Sequence, residues 1–277
     1  GTKDESSEYF NVRIEKGPKE TDLATHAKKK NSDFEISQKD RAPFWDDLTK
    51  NFLIDREVER KKVQTHINWY KRNPNHVERV AQRAKPYLRY IVKELKKNEL
   101  PLELALLPII ESAFDPFAYS HGRASGLWQF IPATGRLYGL KIDWWFDARR
   151  DIRASTQAAI SYLIRLNKLF DGDWLLTIAA YNAGEGNILK SIKRSGIDRE
   201  QVEFWQLKVL SETSSYVPRL LAISEVISKP SEYGITLPDI PDEPYWGVVD
   251  TFRQIDLNTA ARLAEISQET LYSLNPG

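Results

Sequence analysis

The chain has 277 residues, 41% of them hydrophobic, with 8 Trp, 12 Tyr and 11 Phe, which is enough apolar material for a substantial core. Its 40 basic and 39 acidic side chains leave a net charge of +1, so no basic field points to nucleic acid and no acidic tail to a basic partner. Cysteine is absent, which excludes a disulfide framework, a thiol nucleophile and a Cys-based metal site, and is equally compatible with oxidising and reducing compartments.

Residues 1–43 are mostly polar, charged and weakly periodic, and are read as a flexible arm with too little apolar surface to offset the entropy of ordering. Methionine is missing even at the start, so Gly1-Thr2 is read as a scar of processing, with room ahead of it for a signal peptide or a lipid anchor. No apolar run approaches the ~18 residues that span a bilayer.

From Phe44 the pattern turns helical. Val58, Val63, Ile67 and Tyr70 recur at helical spacing until Asn73-Pro74 breaks the run. A second amphipathic helix follows, with Val77, Val80, Ala84, Leu88, Ile91, Val92 and Leu95 on one side. These helices, over 44–100, are expected to brace a domain spanning 101–228. Its helical segments are "PLELALLPIIESAF", "ASTQAAISYLIRLNKLF", "WLLTIAAYNAGEGNILKSIKRSG" and "SETSSYVPRLLAISEVIS". Residues 115–150 read as loops around a short helix. A Pro-rich linker is expected over 229–244, then a βαα unit over 245–277: a strand in "YWGVVDTF", a helix capped by Asp256 or Asn258, and a second short helix.

The residue that raises a question is Glu111, directly after the run "LELALLPII". On a continuous helix Leu104, Leu107 and Glu111 share a face, and a carboxyl against leucines has its pKa raised toward values that suit a proton donor. The alternative is a helix-end carboxylate reaching water or pairing with Arg123. Downstream, "SHGRASGLWQF" combines small residues with the neutral hydrogen-bonding groups of Ser120, Ser125 and Gln129. That pattern suits a ligand loop or a turn leading into a core helix. In "AAYNAGEGN", Tyr181 and Asn182 either present a phenol and an amide to a groove or simply precede a helix stop at Gly184. Glu212 and Tyr216 lie one helical turn apart, a spacing shared with ordinary surface pairs. The four histidines, His26, His66, His76 and His121, lack ligand spacing.

Four blocks occur in order: "ES" at 111–112, "SGLWQF" at 125–130, "AAYNAG" at 179–184 and "ETSSYVPRL" at 212–220. Together they resemble the catalytic domain of the family 1 lytic transglycosylases, and the likeness runs over roughly residues 44–228. The tail from Tyr245 is similar to a LysM-type glycan-binding repeat. The resemblance implies a mainly α, lysozyme-like (goose-type or SLT) catalytic domain acting on peptidoglycan glycan strands in a bacterial envelope, in the periplasm and with outer-membrane anchoring open. The oligomeric state is left open with a monomer favoured, the charge balance argues against a nucleic-acid partner, and the implied chemistry requires no metal or organic cofactor. Glu111 would be the single acid/base, while Ser120, Ser125, Gln129, Tyr181, Asn182 and Tyr216 would bind substrate or orient the acid. Two rivals are a lysozyme-like hydrolase recruiting Asp115 as a second carboxylate, and a binding scaffold that has lost catalysis.

Overall fold

The computed structural model describes residues 44–251 and 253–277, and the expected arm at 1–43 lies outside the described residues. Eleven α-helices occur among those residues. Helix α1 spans Phe44–Lys50, α2 Lys61–Arg72 and α3 Pro74–Lys97. Helix α4 spans Leu107–Ser112, α5 Pro132–Leu137, α6 Ile152–Leu169 and α7 Trp174–Ala183. Helix α8 spans Glu185–Ser195 and α9 Ser211–Ser228, followed by α10 at Leu257–Ala264 and α11 at Gln268–Leu274. The mainly helical class read from the sequence is the class observed.

Helix α9 is the hub. From Tyr216 to Ile227 it is buried almost all round, and it packs against α2, α7 and the 3-10 turn Leu102–Leu106. A helix that is apolar on every side must lie inside the domain. Its buried carboxylate, Glu225, is neutralised by Arg56 at 3.3 Å and Lys229 at 2.8 Å. Helix starts carry the side chains that satisfy free backbone N–H groups: Asp151 accepts from Ala154 at 2.6 Å, Asp173 from Leu176 at 2.8 Å, and Asp256 from Thr259 at 2.9 Å.

Two expectations need correction. The run "PLELALLPIIESAF" is not one helix but a 3-10 turn, Leu102–Leu106, followed by the short α4. Pro108 lies in the first turn of α4, where an N–H would have no partner within the helix, so it suits a helix that starts afresh there after the 3-10 turn. Leu104 therefore does not share a helical face with Glu111, whereas Leu107 does. The strand expected in "YWGVVDTF" is also absent from its described residues, because no second strand is available among them to take its N–H and C=O groups. Backbone pairing among the described residues that lies outside helices and turns is limited to isolated bridges, Tyr119 with Ser125, Ser125 with Phe130 and Ile142 with Asp147.

The stretch 229–244 packs on the helical body: Ile235 and Ile240 are buried, Trp45 Nε1 donates to the Pro238 carbonyl at 2.7 Å, and Glu78 accepts from Thr236 N at 2.7 Å. The C-terminal pair of helices also docks. Trp246 Nε1 donates to the Pro86 carbonyl at 2.7 Å, and the Tyr272 ring stacks on Phe117 with centroids 5.2 Å apart.

Candidate active site

Glu111 sits in the last turn of α4. The helix stops one residue later because Ala113 and Phe114 take left-handed backbone conformations, φ +51° and +55°. For non-glycine residues this geometry is costly. Burial of the Phe114 ring, 1% exposed, compensates and pins the end of α4 in place. Glu111 keeps a partial opening to solvent, while its chain neighbours Ile109, Ile110 and Phe114 are buried.

Burial pushes the Glu111 carboxyl up to about 7. The Tyr216 hydroxyl, reaching across from α9, donates to Glu111 Oε1 at 2.5 Å and pulls in the opposite direction, because it stabilises the ionised form. The carboxylate of Glu212 raises the value and the guanidinium of Arg219 lowers it. Tyr216 itself is buried, and its phenol is held well above the ordinary tyrosine value by burial and by the Glu111 charge, so it stays a proton-bearing donor. Tyr181 is raised in the same way, by burial first and then by Glu111. A carboxyl poised between its two protonation states near neutral pH, beside two neutral phenols, can give up a proton and take one back.

Most of the other expected site residues shape the loop at 118–130, which is tied to α4. Tyr181 on α7 donates to the Trp128 carbonyl at 2.9 Å. Gln129, with φ +48°, donates its side-chain amide to the carbonyls of Gly126 (2.8 Å) and Ala118 (3.2 Å), closing the turn on itself. Ser120 Oγ accepts from Ala124 N at 3.0 Å. Ser125 is fully buried and accepts from Arg150 Nε at 3.2 Å, so it has no free face for a ligand and serves the loop's architecture. Ser112 Oγ ties α4 to the same loop through the Leu127 carbonyl at 3.0 Å. Asn182 is fixed by Glu212 Oε1, which accepts its amide at 3.1 Å, and by Thr213, which donates to its carbonyl oxygen at 2.8 Å. Gly184 does end α7, with φ +80°. Asp115 is engaged locally, accepting from Phe117 N at 2.9 Å, and the two left-handed residues separate it from α4.

One residue that sequence reasoning missed holds the loop from outside. Arg149 is 4% exposed; its Nη1 donates to the carbonyls of Arg123 (2.5 Å) and Phe130 (3.0 Å), and Nε and Nη2 grip Asp147 at 2.9 and 2.6 Å. The only signal in the sequence was its place in "DARRD", which reads as surface charge. A Cβ at Gly126, where φ is +80°, would collide with the Arg149 backbone, so glycine is required there. A separate cavity of about 400 Å³, lined by Tyr90, Glu94, Lys97, Arg153, Ala154 and Gln157, contains none of these residues. Among the described residues, no three His, Asp or Glu side chains group to hold a metal.

Residues 89–204 match the model of the Transglycosylase SLT domain. The chain is 43% identical over 219 residues to the membrane-bound lytic murein transglycosylase D of Escherichia coli (strain K12), covering 79% of this chain and 48% of that protein. It is also 42% identical over 166 residues to a protein of Alteromonas sp. (strain M-1) named for tributyltin chloride resistance, covering 60% of this chain and 75% of that one. Among solved structures, the soluble lytic transglycosylase SLT70 of Escherichia coli overlaps 86% of this chain and 41% of its own, at 21% identity and a TM-score of 0.45. The chain thus spans about half the length of the Escherichia coli membrane-bound relative. With that match and that identity, the chain belongs to the family of SLT-domain transglycosylases.

Proposed function

We propose that this chain is a peptidoglycan lytic transglycosylase of the cell envelope, with Glu111 as its single acid/base. The observation that carries the reading is the Glu111 carboxyl, partly open to solvent and held by the buried Tyr216 hydroxyl at 2.5 Å, in surroundings whose burial pushes it up to about 7. The substrate is the glycosidic bond between N-acetylmuramic acid and N-acetylglucosamine in murein strands. The protonated Glu111 gives its proton to the glycosidic oxygen as the bond from that oxygen to the muramoyl anomeric carbon breaks. The positive charge that develops on the sugar is relieved by the substrate's own N-acetyl oxygen. The Glu111 carboxylate then takes the proton from the muramoyl C6 hydroxyl, whose oxygen bonds to the anomeric carbon and closes a 1,6-anhydro ring. No water is consumed, and Glu111 ends as it began.

Tyr216 is the group that steadies the carboxylate between the two transfers. Tyr181, Gln129 and Ser120 support the loop against which the sugar lies, and Asn182 presents an amide braced by Glu212 and Thr213. Within this reading, residues 101–228 form the catalytic unit, with 44–100 and 229–277 packed around it. Mass spectrometry of soluble products from purified sacculi tests the reaction class: anhydro products support it, and products heavier by one water identify a hydrolase.

A further inference from the structure

Residues 141–147 make a tight loop whose backbone is closed by a bridge between Ile142 and Asp147. The backbone N–H of Asp143 donates to the Phe146 carbonyl at 2.9 Å, and that of Ala148 to the Lys141 carbonyl at 2.9 Å. Asp143 Oδ1 accepts from the backbone N–H groups of Trp145 (2.8 Å) and Phe146 (2.9 Å), which holds its carboxyl below the ordinary range and ionised. This loop is built rather than loose, and its tip carries two adjacent tryptophans, Trp144 and Trp145, 87% and 84% exposed. Their rings stand 6.5 Å apart with planes at 89°, one a floor and the other a wall.

An indole left in water forgoes the free energy of burying its apolar area, so a braced loop that displays two of them marks a contact surface. The loop shares its anchor with the active-site loop. Asp147 at its end is gripped by Arg149, which also holds the carbonyls of Arg123 and Phe130. The tryptophan pair is therefore tied through Arg149 to the loop at 123–130, whose Leu127 carbonyl is bonded to Ser112, the neighbour of Glu111.

We propose that Trp144 and Trp145 form an accessory contact for the glycan strand, outside the residues that handle the reacting bond; this rests on the transglycosylase reading. A pyranose ring offers C–H groups on its face and hydroxyl or N-acetyl groups at its edge. One indole takes the face, while the second, at a right angle, lies along the edge. Charge at the tip favours the uncharged sugar rings of a glycan strand over an anionic bilayer: Lys141 and Asp143 pair at 3.5 Å and cancel. A murein strand extends well beyond the bond being cut, so a remote contact raises the local concentration of sugar at the site.

The test is co-sedimentation with purified sacculi in a Glu111→Gln background, which preserves the ligand. Replacing both tryptophans by alanine should weaken binding about ten-fold, with Trp144→Ala and Trp145→Ala each giving part of the loss. Leu210→Ala, a change at another exposed apolar side chain (70% exposed), should leave binding intact. Replacing both by phenylalanine should recover much of the affinity. Unchanged sedimentation of the double alanine variant, with an unchanged melting midpoint, overturns the proposal. Indole-dependent flotation with phosphatidylglycerol vesicles, without loss on sacculi, also overturns it and assigns the pair to a lipid surface. Product analysis with the unsubstituted chain is run beside it. Its failure to yield anhydro products would sink the enzymatic reading, whereas normal products with indifferent tryptophans would sink only this inference.

Discussion

Tyr216 and Glu111 lie 105 positions apart in the chain and meet through a 2.5 Å hydrogen bond from the phenol to Oε1. Burial favours the neutral acid, and this bond favours the anion. Their balance sets the carboxyl near 7, where one group can serve both proton transfers.

Altering that balance should move the pH profile in opposite directions at two positions. The donor must be protonated, so kcat/KM should fall as pH rises through about 7. Tyr216→Phe removes the bond that stabilises the anion, and the falling limb should move to higher pH. Glu212→Gln removes a negative charge that opposes ionisation, and the limb should move to lower pH. Profiles that do not separate in these senses would contradict the assignment of the limb to Glu111.

The same shift makes a stability prediction. Glu111 binds its proton more tightly in the folded chain, about 7 against 4.5 for the unshifted group. Its favourable contribution is complete below pH 4.5 and is lost as pH rises to about 7. Glu111→Gln lacks that loss. The variant should therefore melt above the unsubstituted chain at pH 8, by an amount worth up to roughly 3 kcal/mol, and the gap should close toward pH 4. A gap constant with pH would show that the folded carboxyl is not shifted.

Arg149→Ala should destabilise the fold by roughly 3–5 kcal/mol, because it leaves two carbonyls and Asp147 without their buried partner. Gly126→Ala should act in the same direction through its clash with the Arg149 backbone. Urea unfolding measures both. A loss under about 1 kcal/mol for Arg149→Ala would mean the loop does not depend on this anchor.

How far the sequence revealed all this depends on the kind of signal. Helix α3 was legible because its apolar residues recur at the helical period and Asn73-Pro74 marks its start, and α9 because it is a long, nearly continuous run of helix-compatible apolar residues. The fresh helix start at Leu107-Pro108 was not taken into account, because the apolar run continues on both sides of it. Glu111 stood out as a carboxyl among leucines and isoleucines, whereas Tyr216 entered the site only through the resemblance, because its spacing from Glu212 is that of an ordinary surface pair. In the structure Tyr216 is buried on Glu111 while Glu212 holds Asn182. Contacts between residues a hundred positions apart leave no periodic trace. Ser125 and Gln129 were legible as members of a special loop, but their side chains are committed to its backbone and to Arg150. The expected strand at 245–252 had the right composition and, among the described residues, no partner.

The most direct test is turnover of purified sacculi by the unsubstituted chain and by Glu111→Gln, measured side by side as anhydro products released. An amide cannot deliver or receive the proton, so the variant should fold normally and lose at least about a thousand-fold in rate. A folded variant that keeps more than about a tenth of the rate would show that the proton comes from elsewhere.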